Sequence, residues 1–168
     1  MKKNLVLLGM MGVGKPTLGK IVAEKQNMVF VDIDLNIEKK NSMTIKEIFK
    51  KKGEDFFRSE EEKEVFESMK KNNCVIALGG GAFINKIIRE NILKNAVSIW
   101  LDADVKILNK RVKWNQKRPL LKGENNLKKL NELYTERKQI YKLANYKIVC
   151  KDQNKENIVE KIISTYEK

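Results

Sequence analysis

Short apolar runs alternate with longer stretches of helical spacing along this chain. Residues 3–8 (KNLVLL) are almost continuously apolar and predict a short buried strand. A glycine-rich turn follows. Leu18, Ile21 and Val22 then recur on one side, predicting a helix from Thr17 to Gln26. Residues 29–33 (VFVDI) predict a second strand. Residues 35–70 read as helix in pieces, carried by Ile45, Ile48 and Phe49, by Phe56 and Phe57, and by Val65, Phe66 and Met69. The breaks fall near Asn41–Ser42 and at Gly53. Cys74 to Leu78 predicts a third strand, stopped by Gly79-Gly80-Gly81, and residues 86–94 a helix. Residues 96–101 predict a fourth strand, 105–113 and 127–142 helices, 146–150 a fifth strand and 157–166 a last helix. Between them, residues 114–126 are polar, contain Pro119 and Gly123, and read as a loop.

Short strands alternating with helices argue for an α/β fold: a three-layer sandwich with a mainly parallel five-stranded sheet flanked by helices. No repeat, low-complexity tract or linker interrupts the 168 residues, so one domain is expected. The apolar fraction of 42% is enough for a core. The apolar run from Leu5 to Met11 is too short to span a bilayer. Lys2 and Lys3 before it resemble a signal-peptide start, but Gly12, Gly14 and Lys15 interrupt the pattern and no small-residue cleavage site follows. A soluble protein that keeps its N-terminus is expected.

Composition narrows the chemistry. The chain has no histidine and two cysteines, Cys74 and Cys150, both inside apolar runs. Histidine-dependent triads and zinc sites are excluded, and both thiols are expected in the core. A reducing, cytoplasmic setting fits. The net charge of +13 suggests an anionic partner, yet the lysines are dispersed along the chain and read as a solvated coat.

Two motifs carry chemistry. Gly9-Met10-Met11-Gly12-Val13-Gly14-Lys15-Pro16-Thr17 lies between a predicted strand and a predicted helix. There, backbone N–H groups can close around phosphate oxygens, the lysine adds a point charge, and the helix start adds its positive dipole end. Pro16 departs from the usual GK[ST] ending. Proline suits the first helical turn but brings neither the hydroxyl that normally meets Mg²⁺ nor an N–H for phosphate. Thr17 lies a further rotation of about 100° around the helix, so its hydroxyl does not simply take over. The second motif is Asp32-Ile33-Asp34. Strand alternation would put both carboxylates on one side, where open α/β sheets bind ligands.

These motifs, with Phe30-x-Asp32-x-Asp34-x-x-Ile37-Glu38, Phe57-Arg58-x-x-Glu61, Gly79-Gly80-Gly81, Arg118-Pro119-Leu120-Leu121 and Arg137-x-x-x-Tyr141, resemble the shikimate kinase family in order and spacing over nearly the whole chain. The resemblance implies a P-loop, nucleoside-monophosphate-kinase-like fold and ATP-dependent phosphorylation of the shikimate 3-hydroxyl, a step of aromatic amino acid biosynthesis. It implies ATP and Mg²⁺ as cofactors. Gly12, Val13, Gly14, Lys15, Pro16 and Thr17 would cradle the nucleotide, with Arg111 flanking the adenine and Gln153 on the purine-side loop. Asp34 would bind the shikimate hydroxyls and act as base or orienter. Arg58, supported by Glu61, and Arg137 would clamp the carboxylate, with Gly79, Gly80 and Gly81 lining the substrate. Lys15 and Arg118 would serve the transferring phosphoryl group, and Asp32 would sit on the Mg²⁺ side. A substrate-binding subdomain near 33–61 and a lid near 112–125 are implied. A monomer with no nucleic-acid or membrane partner is expected.

The residue chemistry agrees with this outline. Phosphoryl transfer needs positioning and charge neutralisation, and arginine's planar fork suits carboxylates and phosphates. Four of the five arginines fall at 58, 111, 118 and 137; Arg89 reads as a surface residue. Trp100 reads as core, and Phe49, Phe56 and Phe57 as packing. Three other readings stay open: the same fold with activity impaired by Pro16, a basic nucleic-acid-binding module, and a gluconate or nucleotide kinase.

Overall fold

A computed structural model describes residues 2–113, 126–151 and 154–168. Five strands, β1 (Asn4–Leu8), β2 (Val29–Asp32), β3 (Cys74–Ala77), β4 (Ala96–Asp102) and β5 (Tyr146–Val149), form one sheet of order β2-β3-β1-β4-β5. Every pairing is parallel. The central strand is apolar on both faces: Leu5, Val6 and Leu7 are wholly buried, as a parallel strand covered on two sides requires. The edges are exposed at Val29 on β2 and at Tyr146 and Val149 on β5. Eight helices flank the sheet among the described residues: α1 (Lys15–Lys25), α2 (Ile33–Asn41), α3 (Ile45–Lys52), α4 (Glu54–Met69), α5 (Lys86–Asn95), α6 (Val105–Lys113), α7 (Asn126–Tyr141) and α8 (Lys155–Tyr166).

Local chemistry sets the boundaries that matter for the site. Gly14 adopts a left-handed conformation (φ 101°) as the N-cap of α1, so the helix starts at Lys15, two residues before the predicted start. Pro16 fits the first turn, where its missing N–H breaks no helical bond. β2 stops at Asp32 because its carboxylate accepts the Leu35 N–H (3.2 Å) and caps α2. Ser42, in a left-handed conformation (φ 48°), ends α2, and a capping box of Thr44 and Glu47 starts α3. Gly53 separates α3 from α4, so both predicted helix breaks are present.

Polar side chains staple the sheet. Asn4 donates to Lys71 O (2.7 Å) and accepts the Cys74 N–H (2.9 Å), fixing the start of β3 beside β1. Asn145 accepts from both N–H and hydroxyl of Ser98 on β4. Cys74 and Cys150 are unbridged and buried, as expected, and burial pushes the Cys150 thiol up to about 11. Trp100 is core, packed against Tyr141 with ring centroids 5.8 Å apart. Arg89, read as a surface residue, is half-buried instead. Its guanidinium donates to the Phe83 and Ile84 carbonyls of the 3₁₀ turn Ala82–Ile84. Those carbonyls lie at a helical end and need a donor.

Candidate active site

The strands' C-terminal ends deliver the site. After β1, the chain turns through Gly9 to Gly14, with positive φ at Gly9, Gly12 and Gly14. Gly12 has a second reason to be glycine: a Cβ there would stand 2.9 Å from a Val112 methyl on α6. Lys15 is buried, and its ammonium donates to the Gly9 (2.6 Å) and Met10 (3.0 Å) carbonyls, which hold it over the loop. Val13 is buried, whereas Pro16 and Thr17 are exposed at the start of α1. Arg111 on α6 lies alongside, its Nη1 3.5 Å from the Val13 carbonyl.

One cavity is lined by Lys15, Pro16, Asp32, Asp34, Arg58 and Arg137 together with the triple-glycine turn after β3. The four residues on which the sequence reading turned, Lys15, Asp34, Arg58 and Arg137, therefore meet in one cleft. The reason given for the two aspartates needs correction. They do not alternate along a strand, because Asp32 is the cap of α2 and Asp34 lies in its first turn. Both nevertheless border the cavity.

Each glycine of the turn makes room for a functional side chain. A Cβ on Gly79 would lie 2.6 Å from Glu61 Oε1 and 2.7 Å from Asp34 Oδ1. One on Gly80 would lie 3.3 Å from Arg137 Nη1, and one on Gly81 only 2.6 Å from Arg58 Nη1. None of the three has positive φ, so close approach rather than unusual backbone geometry explains them.

The arginines are held differently. Arg58 on α4 pairs with buried Glu61 (2.8 Å) and with Glu54 (3.3 Å). Burial works against the Arg58 charge, but the two carboxylates outweigh it and raise its pKa. Burial also pushes the Glu61 carboxyl above its ordinary value, with Asp34 adding to the rise and Arg58 opposing it. Arg137 is 7% exposed, and its Nη1 has no hydrogen-bond partner among the described residues. A buried cationic donor in that state is costly unless an anion meets it. Tyrosines fix α7 on either side of Arg137. Tyr134 donates to Asp102 Oδ1 (3.1 Å), and Tyr141 donates to the Gly80 carbonyl. Burial, reinforced by Asp102, pushes Tyr134 up to about 12, so it keeps its proton and remains a donor.

Three further features belong to the site. Phe49 and Phe57, read only as packing, do pack against each other (4.9 Å between centroids, rings tilted by 42°), but they also wall the cavity. Glu38 borders it too, and its carboxylate accepts the Ile45 N–H (2.9 Å), tying α2 to α3. Glu38 stands four residues after Asp34, a spacing that shares a helix face and could have flagged it. Tyr141 stands in the same relation to Arg137. Arg118, Gln153, Trp114 and nearly all of the expected lid lie outside the described residues.

A phosphate-type loop at the end of a 2-3-1-4-5 parallel sheet, opening onto a pocket of arginines and carboxylates, defines the class of P-loop kinases that act on small molecules. The family model for shikimate kinase matches residues 11–167. A shikimate kinase of Sulfurihydrogenibium sp. is 43% identical over 162 residues, covering 96% of each chain. The solved shikimate kinase from Acinetobacter baumannii in complex with shikimate superposes with a TM-score of 0.95 at 33% identity, covering 98% of this chain and 93% of that one. The shikimate kinase from Aquifex aeolicus gives 0.86 at 30% identity, covering 98% and 96%. The chain belongs to the shikimate kinase family.

Proposed function

We propose that this protein transfers the γ-phosphoryl group of ATP to the 3-hydroxyl of shikimate, giving ADP and shikimate 3-phosphate. The observation that carries the reading is the meeting of Lys15, Asp34, Arg58 and Arg137 around one cleft. Two guanidinium groups from α4 and α7 suit the carboxylate of the acceptor, and Arg137 Nη1, without a hydrogen-bond partner among the described residues, is a donor for it. The loop from Gly12 to Thr17 takes the triphosphate, with Lys15 moving its charge from loop carbonyls onto phosphate oxygens. Asp34 orients the acceptor hydroxyl and takes its proton. The new bond joins the 3-oxygen to the γ-phosphorus as the bond to the ADP oxygen breaks. Most of the acceleration then comes from positioning and electrostatics. Arg111, Arg118 and Gln153 are assigned to the nucleotide, the last two by sequence alone. Residues 33–61 are assigned to acceptor binding, and a lid is assigned to 112–125 by sequence alone.

Magnesium fits the residues present in a reduced form. Among the described residues no group of three or more His, Cys, Asp or Glu side chains could hold a metal. Mg²⁺ commonly takes one or two carboxylates plus substrate phosphates, and Asp32 on the cavity wall supplies one. A bound Mg²⁺ would neutralise phosphate charge.

ATP use and unbridged cysteines suit the cytoplasm. Among the described residues no helix is long and apolar enough to cross a membrane. We read the dispersed lysines as a solvated coat rather than a nucleic-acid surface. The test is ADP release followed with and without shikimate, gluconate and nucleoside monophosphates. Shikimate-dependent release that disappears in Asp34→Asn, with ADP binding retained, is expected. Release driven equally by gluconate, or an unaffected Asp34→Asn, would reject the reading.

A further inference from the structure

Pro16 is the second residue of α1 and lines the cavity together with Lys15 and Asp32. In the usual loop this position gives a hydroxyl to the metal and a backbone N–H to phosphate. Here it gives neither. Among the described residues the carboxylate assigned to a cation is that of Asp32, which also accepts the Leu35 N–H as cap of α2; Asp34, on the same cavity wall, is assigned to the acceptor hydroxyl. Thr17, the next hydroxyl, is exposed one helical step further on. Linkage is reciprocal: a cation that gains little affinity from the protein lends little affinity to the nucleotide.

We propose that Pro16 uncouples nucleotide binding from the divalent cation, so that this chain binds ADP almost equally well with and without Mg²⁺. The inference rests on the nucleotide-site reading above. It concerns ground-state binding and leaves the cation's part in the transfer step untouched.

The experiment is calorimetric titration of ADP into the parent, Pro16→Ala and Pro16→Ser, each in excess MgCl₂ and in EDTA. Thermal unfolding checks that each variant is folded. Alanine restores the N–H without a hydroxyl, so it should tighten ADP in both buffers and leave their ratio unchanged. Serine restores both groups, so the EDTA-to-Mg²⁺ ratio of Kd should rise by about fivefold or more, against about twofold or less in the parent. A parent ratio as large as that of Pro16→Ser, or a Pro16→Ser ratio no larger than the parent's, overturns the inference. Were ADP to bind and shikimate-dependent turnover to persist in that case, only the metal inference would fail. Were no folded form to bind ADP, the nucleotide-site reading would fail and take the inference with it.

Discussion

Gly81→Ala tests the acceptor clamp by the smallest possible change. Gly81 has φ −97° and ψ −11°, a conformation open to alanine, so the backbone is not strained. The added methyl would stand 2.6 Å from Nη1, 2.8 Å from Nη2 and 2.9 Å from Cζ of Arg58. An ordinary contact is about 3.5 Å or more, so the guanidinium must retreat by close to 1 Å. Arg58 ends a flexible side chain and can do so without unfolding the protein. A charge-assisted hydrogen bond is worth about 1.5–3 kcal/mol, so a displaced clamp should cost roughly 10- to 150-fold in kcat/KM for shikimate. Stability should change little, because replacing glycine by alanine at a compatible site gains about 0.4–1 kcal/mol through the unfolded chain. ADP affinity should stay at the parental value. The assay is coupled ADP release at varied shikimate, with calorimetric ADP binding and thermal unfolding alongside. The same substitution in an Arg58→Ala background should have almost no further effect on kcat/KM. If Gly81→Ala keeps the parental kcat/KM, or costs as much without Arg58 as with it, the reasoning from glycine to arginine to substrate is wrong.

Tyr141→Phe should remove the donor to the Gly80 carbonyl and cost about 1 kcal/mol of stability, read as a lower urea midpoint with unchanged slope; an unchanged midpoint would discount the contact. Glu61→Gln tests the raised carboxyl pKa. Because folding raises that pKa, Glu61 favours the native state most below its ordinary value, and this contribution fades as pH climbs through the raised one. The stability of the parent relative to Glu61→Gln should therefore fall as pH climbs above the ordinary carboxylate range, and a difference that is flat or rises would reverse the assignment.

The strands and helices were legible because both kinds of period are strong here and the breaks carry their own signals. Ser42 and Gly53 stop helices by conformation, and Thr44 with Glu47 starts one by capping. The motif residues were legible as a set, but the reason for their convergence was not. Alternation placed Asp32 and Asp34 together on an argument that the cap at Asp32 invalidates. The triple glycine was legible as lining the substrate, but the space it leaves for side chains from α2, α4 and α7 is encoded by no local pattern. Arg89 was misread because its acceptors, the carbonyls of a 3₁₀ turn, exist only once the chain has turned after Gly81. Phe49 and Phe57 showed helical spacing, which marks a buried face without telling core from cavity wall.

A Cβ on Gly80 would lie 3.3 Å from Arg137 Nη1, 3.6 Å from Met11 N and 3.8 Å from the Gly9 carbonyl oxygen. The phosphate cradle and the acceptor pocket thus meet at a single glycine. A compound joining a phosphate mimic to a carboxylate-bearing ring would need only a very short tether to occupy both compartments. Engineering the acceptor side for a bulkier alcohol would likewise press on the wall that shapes the nucleotide side.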